Sequence, residues 1–207
     1  MGEVFYTSDT HFNHIKVART RGFSTVEDHD NWVIETWNHL VSPDDIVWHL
    51  GDVGLGSATR VLEIVGSLNG TKHLITGNHD QVFPGNRDAF RHQHKWLKVF
   101  DSVQPFARRK VQGHQFMLSH FPYIGDHTPE DRYVEYRLRY NAAMPIVHGH
   151  THSHLAFDPL LAALSAVQLH VGWDAFCQPV PQDIVVEALA SIVVEALASE
   201  ESEWRRQ

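Results

Sequence analysis

Short apolar runs alternate with longer helical patterns along this chain. Val4–Ser8, Ile46–Leu50, Lys72–Thr76, Gln115–Ser119 and Pro145–His148 are short and β-prone, and most are cut off by Gly or Asp. Val167–Val171 predicts a further strand, with Val99–Val103 and Arg108–Val111 as less regular candidates. Between the first two runs, Val26–Leu40 places Trp32, Val33, Thr36, Trp37 and Leu40 at helical spacing before Ser42-Pro43-Asp44-Asp45 stops it. Ser57–Leu68 repeats the pattern. Ser57 is its N-cap, Val61, Leu62, Ile64, Val65 and Leu68 turn inward, and Asn69-Gly70 ends it.

Strand–helix–strand units of this length put parallel strands side by side with helices on the sheet faces. The later strands have shorter connections, which predicts a mixed second sheet. At 207 residues the chain is expected to be one domain over 1–199, with 200–207 as a frayed tail. Ile184–Ser191 is repeated letter for letter as Ile192–Ser199. Eight residues turn a helix by about 800°, so the second copy is rotated by roughly 80° from the first. One helix from about Pro181-Gln182-Asp183 to Ser199 is expected. The plainer expectation is that the second copy extends beyond the core; the alternative is an apolar helix used in self-association, although no heptad is sustained.

The polar blocks that follow the strands carry the chemistry. They are Asp9-Thr10-His11, Gly51-Asp52, Gly77-Asn78-His79-Asp80, Ser119-His120 and Gly149-His150-Thr151-His152. Loops after strand C-termini are where α/β folds place their sites. Residues i and i+2 of an extended segment share a side, so Asp9 and His11 can grip one cation, and His150 and His152 repeat the spacing in a loop. An aspartate such as Asp52 has two oxygens, enough to bridge two metals, and Asn78 adds a neutral amide oxygen. The ligand atoms are all nitrogen or oxygen, which suits Mn, Fe, Co, Ni or Zn and disfavours Ca or Mg.

Composition narrows the setting. A formal net charge of −8 argues against an extended duplex partner, because phosphate neutralisation needs clustered Lys and Arg. No apolar stretch approaches a membrane span, the N-terminus runs straight into the first block without a signal peptide, and the lone Cys177 fits a reducing cytoplasm. Histidine is the outlier, with 17 copies, of which the blocks use five and the expected metal ligands four. Most of the others are read as surface or half-buried residues.

Taken together, the five blocks resemble the calcineurin-like metallophosphoesterases, whose motifs are D-x-H, G-D, G-N-H-[DE], H and G-H-x-H. The resemblance spans about Val4 to His152, and the flanks Thr7–His14, Trp48–Asp52 and Leu118–Pro122 look like the small phage and bacterial members. It implies a four-layer α-β-β-α sandwich with two mixed β-sheets. It further implies one metal on Asp9, His11, Asp52 and His152, and a second on Asp52, Asn78, His120 and His150, with Asp52 bridging. The implied cofactors are two divalent transition-metal ions, Mn first, with Fe, Zn, Co or Ni as alternatives. Gly51-Asp52-Val53-Gly54 lacks the aspartate–arginine extension of the protein Ser/Thr phosphatases, which weakens a phosphoprotein reading.

Two cations roughly 3.5–4 Å apart make hydroxide from a bridging water near neutral pH, and it attacks phosphorus in line. His79, next to Asn78 but not expected to be a ligand, is placed to protonate the leaving oxygen. His14 and Arg21 are candidates for touching substrate, Asp80 for orienting His79 or starting a helix, and Tyr123 for an ordinary half-buried tyrosine or a base stack. His49, His148 and His154 are expected to pack around the site, and Asp174 is left without a role. The favoured function is hydrolysis of small phosphodiesters such as cyclic nucleotides or 2′,3′-cyclic phosphates. Alternatives are a phosphomonoesterase or nuclease on the same centre, or a scaffold that kept the fold without catalysis.

Overall fold

A computed structural model describes residues 2–157 and 167–204. Strands β1 (Val4–Thr7), β2 (Ile46–His49), β3 (Thr71–Ile75) and β4 (Ser102–Gln104) are parallel neighbours in the order β4-β3-β2-β1. β9 (Val180–Pro181) closes that sheet antiparallel to β1, with a proline that an edge strand tolerates. In the second sheet β5 (Phe106–Val111) pairs antiparallel with β6 (His114–Ser119), which runs parallel to β7 (Ile146–His148) and β8 (Gln168–His170). Both sheets are mixed, as the sequence predicts for the second. The β5–β6 turn sits on Gln112 (φ 50°) and Gly113 (φ 89°), two left-handed residues of the kind a tight hairpin needs.

The helices are α1 (Ile15–Thr20), α2 (Val26–Leu40), α3 (Ala58–Ser67), α4 (Ala89–Trp96), α5 (Trp173–Phe176) and α6 (Gln182–Trp204). α2 has the bounds its periodicity predicts, and Thr25 caps it by accepting from the Asp28 N–H at 3.1 Å. Ser57 caps α3 as expected, accepting from the Arg60 N–H. Val33 and Trp37 of α2 and Val61, Ile64 and Val65 of α3 pack with Phe5, Val47 and Leu74, so these helices cover the outer face of the first sheet. Tyr6, Trp48 and Ile75 point the other way and meet Phe116, Leu118, Val147 and Leu169 of the second sheet. Two faces of one sheet thus feed two cores, and the strands are held rigidly from both sides.

The alternation has a consequence for α6. In the first copy of its repeat, Val185, Val186 and Leu189 are buried in the inter-sheet core, while Ile184 is 46% exposed. Ile192, the residue equivalent to Ile184, is buried in that same core. Identical sequences therefore show different faces, as the roughly 80° rotation requires. The first copy is spent on the protein's own core, and the second does not simply extend beyond it, since Ile192 is buried there and Val193 packs against it; this packing lends no support to self-association. Residues 205–207 of the expected tail lie outside the described residues. Among the described residues no helix is long and apolar enough to cross a membrane.

Leu189→Ala is expected to cost about 2–5 kcal/mol in denaturant unfolding by leaving a cavity. Ile184→Ala, outside the core, is expected to stay within about 0.5 kcal/mol. Equal losses would contradict the assignment of the buried face of the first copy.

Candidate metal centre

The five polar blocks leave the C-terminal ends of β1, β2, β3, β6 and β7. Pairing continues past the strands: the Asp9 N–H donates to Gly51 O (3.0 Å), His11 N–H to Asp52 O (3.1 Å) and Phe12 N–H to Val53 O (2.9 Å). The Trp173 N–H donates to Ser8 O at 3.2 Å and joins the end of the second sheet to that of the first. All five blocks consequently meet at one seam.

The extended i, i+2 geometry expected for Asp9 and His11 does not occur. Asp9 (φ 59°), His11 (φ 51°), Asp52 (φ 54°), His150 (φ 69°) and His152 (φ 50°) all adopt left-handed backbone. Such a conformation costs a non-glycine residue on the order of 1–2 kcal/mol. Tight left-handed turns, rather than a pleat, aim these side chains inward. Two glycines admit the crowding. A Cβ on Gly77 would overlap the carboxylate and backbone nitrogen of Asp52, and one on Gly149 would overlap Ser8 Oγ and the Asp9 carboxylate.

Hydrogen bonds assign the tautomers of His120 and His152, whose Nε2 lone pairs turn inward. His120 Nδ1 donates to Leu50 O at 2.8 Å, which leaves Nε2 as an acceptor. That Nε2 faces Asn78 Oδ1 at 3.2 Å and Asp52 Oδ1 at 3.5 Å. His152 Nδ1 is bonded to Asp174 Oδ2 at 2.7 Å, so its Nε2 is turned to His11 Nε2 at 3.1 Å. His11 Nε2 lies 3.8 Å from both Asp9 Oδ1 and Asp52 Oδ2. Among the described residues, the ion-pair partners of Asp9 and Asp52 are all imidazoles. The groups Asp9–His11–His152 and Asp9–Asp52–His120 each bring ligand atoms within 4.8 Å of one another. Acceptors facing acceptors in a buried site need a cation between them, so this donor set fits divalent metal ions.

His150 is placed differently from the other expected ligands. Its N–H donates to the Asp9 carboxylate at 3.0 Å, its ring lies 5.1 Å from that of His120, and its Nε2 is bonded to Asp126 Oδ2 at 2.9 Å. Only Nδ1 of its ring nitrogens is left for a cation. Asp126 has no signal in the sequence beyond being an acid in the loop after His120. It is nonetheless a buried hub that also accepts from Arg132 Nη2 (3.0 Å) and Arg137 Nη2 (3.1 Å). Asp174, without a role from the sequence, fixes His152 and pairs with Arg21.

Several expectations change. Arg21, a candidate for phosphate, spends all five N–H donors within the protein: on both oxygens of Asp174, on Asp9 O, on Thr10 O and on His29. It braces the first loop and has none left for substrate. Asp80 neither orients the His79 ring nor starts a helix. Its carboxylate accepts from the N–H groups of Gly77 (2.7 Å), Val53 (3.0 Å) and Asp52 (3.2 Å), clamping the second loop to the third. His14 Nδ1 caps α1 by accepting from the Val17 N–H at 3.0 Å, and its ring stands 5.2 Å from His11 and 5.9 Å from His79. His79 donates its N–H to Asp52 Oδ1 (2.8 Å), with Nε2 3.8 Å from Asp52 Oδ2 and a side chain 37% exposed. His49 bonds Thr10, His148 bonds Gly149 O, His154 bonds Asp174 O, and Tyr123 bonds Met144 O.

Electrostatics follow from crowding. Burial and then the neighbouring Asp9 charge push the Asp52 carboxyl well above its ordinary range. The positive charge of Arg132 pulls modestly the other way. Burial and then Asp52 push Asp80 up to about 7. Burial above all holds His11 well below the usual imidazole value, His150 at about 3 and His79 at about 4. Burial also acts on His152, but its Asp174 hydrogen bond and the Asp9 charge outweigh it and raise that imidazole.

Comparison with known proteins gives a consistent picture. The calcineurin-like phosphoesterase superfamily domain matches residues 3–160. The Gene 66 protein of Mycobacterium phage D29 is 40% identical over 200 residues, covering 93% of this chain and 98% of that protein. The Gene 66 protein of Mycobacterium phage L5 is 37% identical over 203 residues, covering 93% and 96%. The crystal structure of AQ665, a protein of unknown function from Aquifex aeolicus, is similar in fold with a TM-score of 0.70. It is 20% identical and covers 90% of this chain and 99% of that one.

Buried neutral imidazoles set the expected acid response. His49 and His148 are held at about 3, and His170 at about 4, chiefly by burial. Their unfolded forms take protons near 6.5, so between about pH 4 and 6.5 the unfolded chain binds more protons and stability rises with pH. The raised carboxyls of Asp52 and Asp80 oppose this, because they hold protons in the folded state that they lose on unfolding. The imidazoles outnumber them. The melting temperature of chelator-treated protein is expected to climb from about pH 4 to 6.5, and a flat or falling profile would contradict the assignment.

Proposed function

The chain belongs to the calcineurin-like phosphoesterase superfamily, and from that premise we propose that it hydrolyses small phosphodiesters at a pair of divalent cations. The supporting observation is the meeting of unshared acceptors around Asp52. Its Oδ2 faces His11 at 3.8 Å and its Oδ1 faces His120 at 3.5 Å, one oxygen toward each ligand group. Asp9, His11, His152 and Asp52 would hold one cation. Asp52, Asn78, His120 and His150 would hold the other, His150 through Nδ1. Manganese is the first choice, with Fe, Zn, Co or Ni as alternatives; bound cations would supply Lewis acidity that activates water and neutralises phosphate charge.

The chain's own residues do the rest. Asp174 and the Leu50 carbonyl hold His152 and His120 in the tautomers that aim Nε2 inward, as partners on the far ring nitrogen do in metal sites. Asp80 fixes the backbone of Asp52, so the bridging carboxylate cannot drift from the third loop. His79 stands over Asp52 with its ring partly open to solvent, where it can give a proton to a leaving oxygen. Burial and then His14 hold its imidazole down, at about 4. A phosphate anion beside it favours the protonated ring, so substrate brings the acid into its working form. The acidic balance favours small substrates over long nucleic acid.

Turnover of bis-p-nitrophenyl phosphate and cyclic nucleotides by Mn²⁺-loaded protein tests the proposal, with monoesters and oligonucleotides as competing classes. No turnover of any phosphoester would overturn it. His79→Ala is expected to keep its metal and lose about 10²–10⁴-fold in kcat, most for leaving groups of high pKa. Equal losses for p-nitrophenol and nucleoside leaving groups would argue against the acid role. Asp52→Asn is expected to lower metal content at both sites; unchanged stoichiometry by elemental analysis would sink the bridging assignment.

A further inference from the structure

We propose that Arg132 binds a phosphate oxygen of the substrate beside the metal pair, and that Asp126 positions it there. This rests on the phosphoesterase reading and adds to it the residue that recognises the anion.

Three arginines reach carboxylates at the seam, and they differ in what is left over. Arg21 is 7% exposed with every donor engaged. Arg137 is 5% exposed and ties Gly125 O, Arg132 O and Asp126 together. Arg132 is 39% exposed. One edge of its guanidinium, Nε at 3.3 Å and Nη2 at 3.0 Å, is laid on Asp126 Oδ1, and Nη2 also lies 2.9 Å from His127 Nε2. Among the described residues its Nη1 has no hydrogen-bond partner. The group is therefore aimed by a buried carboxylate but keeps donors for a ligand, whereas a purely structural arginine would be used up as Arg21 is.

Its position is near the reacting centre. Asp126 links it directly to His150, whose own N–H is bonded to the Asp9 carboxylate. The ring of His127 beside it lies 5.5 Å from that of His150 and 5.6 Å from that of His152. Tyr133, in left-handed backbone at φ 55°, turns the chain here, with its ring 6.0 Å from His150 and 5.7 Å from the Arg132 guanidinium carbon. A further cation on Asp126, His127 and His150, whose ligand atoms also converge, is disfavoured. Each Asp126 oxygen already meets a guanidinium, so an added cation would face two permanent positive charges. The two N–H groups of Nη1 can donate to a phosphate oxygen from a permanently charged group, a charge-assisted hydrogen bond whose direction Asp126 fixes.

The test uses full-length Mn²⁺-loaded protein, with KM and kcat for the best phosphoester substrate and calorimetric affinity for inorganic phosphate. Arg132→Ala is expected to raise KM and the phosphate Kd by about 10- to 100-fold, with smaller change in kcat and unchanged metal content. Arg132→Lys should recover only part of the affinity. Arg132→Met keeps the stem against Tyr133 without the charge, and should match Arg132→Ala if charge is what matters; this variant decides the question if the alanine protein melts early. Asp126 also holds His150, so Asp126→Asn is compared at metal content matched to wild type by elemental analysis; there Asp126→Asn alone should weaken phosphate binding, and adding it to Arg132→Ala should weaken it no further. Wild-type KM and phosphate affinity in both neutral variants would overturn the role of Arg132 while leaving hydrolysis intact. An additive loss in the pair at matched metal content would overturn the positioning role of Asp126. A wild-type protein that turns over no phosphoester overturns the phosphoesterase reading, and this inference with it.

Discussion

Three buried carboxylates at the strand ends are each held by the backbone of another loop. Asp9 accepts from the His150 N–H, Asp52 from the His79 N–H, and Asp80 from the N–H groups of Asp52, Val53 and Gly77. The first loop is thereby tied to the fifth, the second to the third, and the third back to the second. A charge buried this deeply is tolerated only with such partners, so the carboxylates and the loop geometry require each other. The left-handed residues at Asp9, His11, Asp52, His150 and His152 persist because these bonds over-determine them.

A second ring of contacts surrounds the first and sets what the site can do. Asp174 directs His152, the Leu50 carbonyl directs His120, and Asp126 directs His150, so each imidazole arrives with a defined nitrogen inward. The arginines are sorted by the same carboxylates. Arg21 is consumed in bracing the loop after β1, Arg137 in shaping the 121–145 segment, and Arg132 keeps its Nη1 without a partner among the described residues. The imidazoles of this site are thus fixed by partners on their far ring nitrogens, while the Arg132 side chain stays partly open to solvent.

Much of the fold was legible in the sequence. The α2 bounds, the Ser57 cap and the two faces of β1 to β3 follow from periodicity and local hydrogen bonding, which act over a few residues. Short elements were not legible: α1 is capped by the His14 ring, α5 begins at Trp173 within a loop, and β9 is two residues long. Each owes its existence to packing from elsewhere in the chain. The repeat in α6 is a clear case, because one sequence at two rotations produced a buried Ile192 and an exposed Ile184.

The sequence by itself determined the inventory: five polar blocks after strands, nitrogen and oxygen donors only, one family pattern, and a histidine beside Asn78. Those follow from residue identity and spacing. The tertiary structure alone decided which atoms face the site, because the ring nitrogens and buried carboxylates are set by partners 22, 24, 70 and 141 positions away. It made a brace of Arg21, a backbone clamp of Asp80, and a hub of an Asp126 that spacing could not single out. Composition can count the charges near a site, but only the fold decides which of them are already spent.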